Sequence, residues 1–195
     1  MLDVASAMFL DHGFDGTAID AIAARAGIGK PSLYARYGDK QGLFIAVLRR
    51  RLKQWIRPFA GLTPDHDRPL GRAQVREVLE SFGRHIVDGC LKPETIALGR
   101  ILTSEATRFP ELARVLHEEG WMQGVRCLAA FLEQAIDFSK SEVGDPELAA
   151  DLFFSLMLGR LSRQALLGIP VDPCTLDARV EAAVAIFLGS GFALR

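Results

Sequence analysis

The sequence predicts an all-α protein, with a three-helix helix-turn-helix head over residues 1–48, a linking helix near 40–57 and a helical body over 58–195. Three observations predict it. Apolar residues recur three and four apart along almost the whole chain, strand-type alternation is missing, and Gly- and Pro-containing breaks separate the periodic stretches. At 195 residues and 49% hydrophobic content the chain can fill a small head and one larger core.

The first informative pair of elements spans residues 17–40. Thr17 is a helix N-cap signal, with Asp20 three residues on as a short-armed capping box. Ile19, Ile22, Ala23 and Ala26 then share one helical face. Gly27 supplies the positive φ that a tight inter-helix turn needs, and Ile28 fills the angle between the helices. The second helix begins near Lys30 with Pro31 in its first turn, where a missing N–H is no loss. Only Leu33 and Tyr37 form an inward pair on it, which leaves Lys30, Ser32, Tyr34, Ala35 and Arg36 outward.

That outward face suits a DNA major groove. Lys30 and Ser32 lie at the end that enters the groove in such motifs, Tyr34 offers a hydroxyl to phosphate, and Arg36 reaches a phosphate or a guanine edge. Thr17 and Lys40 stand at the starts of the two flanking helices, whose N–H groups attract phosphate. A Gly-linked helix pair in any all-α protein has a similar pattern. Charge favours the DNA reading: residues 1–57 hold nine Lys or Arg against five Asp, while the whole chain is −1, leaving −5 on residues 58–195. The run Arg49-Arg50-Arg51 reads as a solvated helix face.

The next helix, near 40–57, is capped by Asp39 and turns Leu43, Phe44, Val47, Leu48 and Leu52 inward. Pro58 helps end it, and Gly61–Gly71, with Pro64 and Pro69, is a loop or hinge. Further helices are predicted near 72–91, 93–108, 110–138, 146–168 and 174–190, with Pro93, Pro110 and Asp145-Pro146 as starts and a local irregularity at Gly120.

Several segments resemble the tetracycline-repressor-like (TetR/AcrR) family of bacterial regulators. They are Val4-Ala5-Ser6-Ala7-Met8-Phe9, Gly13-Phe14, Thr17, Ile22-Ala23, Ala26-Gly27-Ile28-Gly29-Lys30, Leu33-Tyr34, Tyr37 and Lys40-Gln41-Gly42-Leu43. Glu105-Ala106-Thr107-Arg108-Phe109-Pro110-Glu111-Leu112-Ala113 and Gly144-Asp145-Pro146-Glu147-Leu148-Ala149-Ala150 look like one C-terminal subtype of that family. The resemblance implies a dimeric, ligand-responsive transcriptional regulator, usually a repressor, on a palindromic operator. It implies phosphate contacts at Thr17, Tyr34 and Lys40, and base-reading positions at Lys30, Pro31, Ser32, Ala35 and Arg36. Relative to the family pattern the sequence begins several residues late; a basic arm ahead of the first helix would add phosphate contacts without changing the bases read. Arg36 stands where the pattern often has His or Tyr, and Tyr37 where it has Phe.

Within the body, Phe153, Leu156 and Met157 on one helix and Val180, Val184, Phe187 and Leu188 on the last form stripes suited to a two-fold four-helix interface. The same stripes suit packing within one chain. Phe82, His85, Phe109, His117, Trp121, Met122, Phe153 and Arg160 combine aromatic bulk with a few polar groups, as a pocket for a small, largely apolar effector requires and as an ordinary core also does. Trp121-Met122, beside the Gly120 irregularity, is the preferred pair.

No nucleotide loop, nucleophile elbow or zinc-protease HExxH spacing occurs, so no catalytic residue, metal or cofactor is expected. Cys90, Cys127 and Cys174 are odd in number with no CxxC, which fits reduced thiols in a cytoplasmic protein; one of them as a redox sensor is the alternative. No stretch suits a bilayer span or a secretory leader. A second functional reading is an all-α small-molecule binding module with a weak or vestigial DNA-binding head.

Overall fold

A computed structural model describes residues 1–57, 70–140 and 143–189. Ten α-helices carry the regular structure of the described residues: α1 (Leu2–His12), α2 (Ile19–Ala26), α3 (Lys30–Tyr37), α4 (Lys40–Ile56), α5 (Arg72–Cys90), α6 (Pro93–Glu105), α7 (Pro110–Leu116), α8 (Met122–Ala135), α9 (Pro146–Leu166) and α10 (Leu176–Gly189). The expected loop at Gly61–Gly71 and the helix stop at Pro58 fall largely outside the described residues.

The helix expected over 110–138 is one path with a defect. A π turn at His117–Trp121 joins α7 to α8. A π turn inserts an extra residue per turn, and such insertions concentrate where a helix does more than span. Gly120 lies inside it and is buried: a Cβ there would sit 3.0 Å from Leu52 Cδ2 of α4.

The chain packs into two units, residues 1–56 with 97–121, and residues 57–96 with 122–195. The family-like head thus gathers α7 and most of α6 around it, where sequence patterning draws the division near residue 48. In this first unit Ala5, Met8 and Phe9 of α1 and Leu43, Phe44, Val47 and Leu48 of α4 are buried together with Leu33, Leu98, Leu102, Leu112 and Val115. Phe9 and Phe44 meet edge to face at 4.8 Å, and Phe14 joins them at 5.4 Å from Phe44. Asp39 caps α4 as expected, its carboxylate accepting from the Gly42 N–H at 2.7 Å.

The second unit is built from α5, α8, α9 and α10. Leu79, Phe82 and Ile86 of α5, Leu128 and Leu132 of α8, Phe153, Phe154 and Met157 of α9, and Val184 and Phe187 of α10 are all buried. Phe82–Phe154 and Phe153–Phe187 are edge-to-face pairs at 5.7 and 5.2 Å. Gly83 permits this closeness: a Cβ on it would lie 2.9 Å from Met157 Cε and 3.1 Å from Val180 Cγ1.

This packing corrects the stripe expected to face a second copy. Phe153, Met157, Val180, Val184, Phe187 and Leu188 are spent on the chain's own core, and Leu156 is half-buried with its carbonyl accepting from Arg179 at 2.9 Å. Helical periodicity groups residues on one face; it does not say whose surface that face meets. The faces of α9 and α10 left outward carry Leu148, Leu152, Leu166 and Ile186, with Ser155, Gly159, Ala178, Ala182 and Ala185 exposed between them.

Candidate nucleic-acid interface

Helix α3 is eight residues long and buries only Leu33. Such a short helix is held by its neighbours and not by its own propensity. Gly27 is left-handed (φ 67°, ψ 31°) and closes α2 with its N–H on Ala23 O and Ala24 O, and the Ile28 N–H bonds Ala23 O at 3.1 Å. Pro31 occupies the first turn of α3, and Gly38 (φ 79°) ends it.

Lys30, Pro31, Ser32, Tyr34, Ala35 and Arg36 are all exposed on the outer side of α3. The structure therefore brings six of the eight expected contact positions onto one open face. Tyr37 is half-buried, with the Arg36 guanidinium 5.5 Å from its ring centroid. Lys30 Nζ donates to Asp20 Oδ2 at 2.9 Å and lies 5.8 Å from the Tyr34 ring. That hydrogen bond, followed by the Asp20 charge itself, holds the Lys30 ammonium above its ordinary pKa.

Lys40, at the start of α4, is half-buried. Its ammonium sits 4.7 Å over the Phe14 ring and donates to Asp15 O at 3.3 Å. The same short loop is gripped from α6–α7: Arg108 donates to both Asp15 carboxylate oxygens at 2.8 and 3.0 Å, and Phe109 packs on Phe14 at 5.2 Å. Lys40 is thus oriented before any ligand arrives.

Thr17 behaves differently from its expected role. Its side chain is 1% exposed, and its hydroxyl is within hydrogen-bond reach of Met8 O (3.1 Å) and Gly13 O (2.7 Å). It fastens the end of α1 and is not the N-cap of α2; that position is Ala18, with no side-chain cap. The N-terminus of α2 keeps its donors for something outside the helix.

Sequence reading missed five pairings here. Asp20 was assigned to capping and instead pairs with Lys30. Arg49, Arg50 and Arg51 are not a bare solvated run: they bond Glu119, Asp3 and Ser6. Arg108 has a local ion-pair partner in Glu105 at 3.8 Å, but nothing local signals its shorter pairing with Asp15, 93 residues away.

The residues considered for an effector pocket divide between the two units: Phe109, His117 and Trp121 belong to the first, and Phe82, His85, Met122, Phe153 and Arg160 to the second. Phe109 belongs to the head's aromatic cluster, and His117 and Arg160 are exposed. Phe82 and Phe153 meet in the second unit at 6.3 Å, with His85 half-buried on α5. Trp121 and Met122 are half-buried and fall on opposite sides of the division between the units. Among the described residues no three His, Cys, Asp or Glu side chains cluster as metal ligands, and no helix is long and apolar enough to cross a membrane.

Comparison with known proteins agrees with this geometry. Residues 1–47 match the family described as bacterial regulatory proteins, tetR family, and residues 77–190 match the AefR-like transcriptional repressor C-terminal domain. The chain is 34% identical to the HTH-type transcriptional repressor BdcR of Escherichia coli over 88 residues, 45% of this chain and 44% of BdcR. It is 35% identical to the HTH-type transcriptional activator FasR of Mycolicibacterium smegmatis over 85 residues, 42% of this chain and 36% of FasR. These matches span less than half the length of either relative. Among solved structures, the flavonoid-responsive regulator FrrA is 31% identical with a TM-score of 0.73, covering 96% of this chain and 95% of that one. A Mesorhizobium loti regulator, at 24% identity, shares the fold with a TM-score of 0.85 over 98% of this chain and 95% of its own. The chain belongs to the TetR family of transcriptional regulators, as a DNA-binding, non-enzymatic helix-turn-helix protein with an AefR-like C-terminal domain.

Proposed function

We propose that the protein is a cytoplasmic homodimeric repressor that binds a palindromic operator and releases it when a small, largely apolar molecule enters the body. The observation that carries the reading is the open face of α3, where Lys30, Pro31, Ser32, Tyr34, Ala35 and Arg36 stand clear of the core that pins Leu33. Lys30, Ser32, Ala35 and Arg36 read base edges, while Tyr34, Lys40 and the uncapped start of α2 take phosphates. Thr17 contributes by shaping the α1–α2 junction.

Repression is supported by the description of the C-terminal domain and by the BdcR name, against the activator name of FasR. Response to a small molecule is supported by the printed name of FrrA and by the aromatic content of the second unit, of which Phe82, His85, Met122 and Phe153 are the candidates that remain. A two-fold site needs two heads about one helical turn apart, so a shift of a few Å in α4 is enough to release one half-site. The second copy docks on the outward faces of α9 and α10, with Leu148, Leu152, Leu166 and Ile186 around small residues.

Fluorescence anisotropy with the DNA upstream of the protein's own gene, across a salt series, tests this reading. Tight, competitor-resistant binding that Tyr34→Ala and Lys40→Ala abolish is the expected result. Binding no tighter than to random duplex, unchanged by both substitutions, is incompatible with it.

A further inference from the structure

Lys30 is the base-reading cation nearest the start of α3, and it is the one cation of that face for which the structure shows a carboxylate partner among the described residues: Asp20, on a different helix, at 2.9 Å. Neither side chain is buried, at 52% and 64% exposure, so burial does not force the pair. Asp20 sits in the first turn of α2, where the helix dipole favours a carboxylate and where the missing side-chain cap leaves room for an anion. On its other side the Lys30 ammonium faces the Tyr34 ring at 5.8 Å.

We propose that Asp20 is a specificity-determining residue, which holds Lys30 on the base-reading side of α3 and withholds it from indiscriminate phosphate contact. The proposal rests on the reading of α3 as the DNA face. An ammonium has three N–H donors. With one given to Asp20, two remain for the O6 and N7 acceptors of a guanine, so the pair can persist in a sequence-specific complex. A phosphate drawing the same ammonium away must break the pair, and it also meets the Asp20 charge at the head of α2. Non-specific binding is almost wholly phosphate neutralisation, so it carries the larger penalty. Asp20 therefore lowers affinity for random sequence while leaving the specific complex nearly untouched, which widens the gap between right and wrong sequences.

The test uses the full chain, a duplex selected by the wild-type protein from a randomised library, and a random duplex. Asp20→Asn should raise affinity for the random duplex about three- to tenfold, change affinity for the selected duplex less than about twofold, and steepen the random-duplex salt slope by about one. Asp20→Ser supplies a second neutral side chain and must give the same ratio, which removes any effect peculiar to Asn. In a Lys30→Met background the Asp20→Asn gain should shrink to about twofold or less. A gain that persists in that background, or equal shifts on both duplexes, overturns the proposal. Should Lys30→Met leave both duplexes untouched, the reading of α3 itself fails and the proposal with it. Should Lys30→Met weaken only the selected duplex while Asp20→Asn leaves the ratio intact, α3 stands and the role of Asp20 alone is refuted.

Discussion

Arg49 on α4 and Glu119 in the π turn form a forked ion pair, with Nη2 2.7 Å from Oε1 and Nε 2.9 and 3.0 Å from the two carboxylate oxygens. Three residues further along α4, nearly one turn on, Leu52 rests against Gly120. The linking helix and the π turn therefore meet through one polar and one apolar contact. The two contacts differ in weight. Arg49 and Glu119 are each about half exposed, so solvent screens the pair, and Glu119→Gln should cost under about 1 kcal/mol of stability. Gly120→Val has no room at 3.0 Å from Leu52 and should cost about 1–3 kcal/mol. Urea melts of the two variants check the order; a larger loss for Glu119→Gln would reverse it.

Thr17 gives a sharp test of structural against DNA-contacting roles. Thr17→Val is nearly the same size but leaves Met8 O and Gly13 O without the hydroxyl donor in a buried place. A loss of about 1–3 kcal/mol follows, seen as a lower urea midpoint at unchanged slope. Thr17→Ser keeps the donor and should retain most of the stability and operator affinity. Wild-type stability in Thr17→Val, with operator binding lost, would instead make Thr17 a direct contact.

Much of the head is legible in the sequence because its signals are local. Gly27 is left-handed as a tight turn demands, Asp39 caps α4, Leu33 points inward and Gly120 marks a real helix defect. Each follows from backbone conformation or spacing within a few residues. What stays hidden is non-local. Phe109 follows a turn that looks like part of the body, yet its ring lies on Phe14, and nothing near either residue encodes that pairing. The same holds for Arg108 with Asp15. Thr17 shows a subtler failure: the N-cap signal is present, but two carbonyls of the preceding segment compete for the hydroxyl and win.

Cys90 bears on the redox-sensor alternative. Burial pushes its thiol up to about 12, because the thiolate would lose its hydration. At pH 8 the folded protein should therefore react with a thiol reagent first at exposed Cys174, and at Cys90 only after unfolding. The shift also sets a pH dependence. The folded pKa lies above the unfolded value near 9, so the contribution of this site is complete below about pH 9 and is lost as pH rises toward 12. Mass-mapped alkylation reads the first point and alkaline urea melts of wild type against Cys90→Ala the second. Rapid labelling of native Cys90 at pH 8 would contradict both.

The outward and inward faces of α9 and α10 make opposite predictions, which separates assembly from folding. Phe187 is 4% exposed and packs edge to face on Phe153. Phe187→Ala opens a cavity in the second unit and should cost about 3–5 kcal/mol whatever the assembly state. Leu152 and Ile186 are 46% and 62% exposed, so replacing them disturbs little within one chain. The double variant Leu152→Glu with Ile186→Glu sets like charges across a two-fold contact and should halve the sedimentation mass while the far-UV helical signal stays unchanged. Because one head can hold only one half-site, that monomer should also lose most of its operator affinity while keeping its weak binding to random duplex. A double variant that still sediments as the wild type would move the contact to another face, and the search would turn to the exposed Leu167 and Ile169 beyond the end of α9.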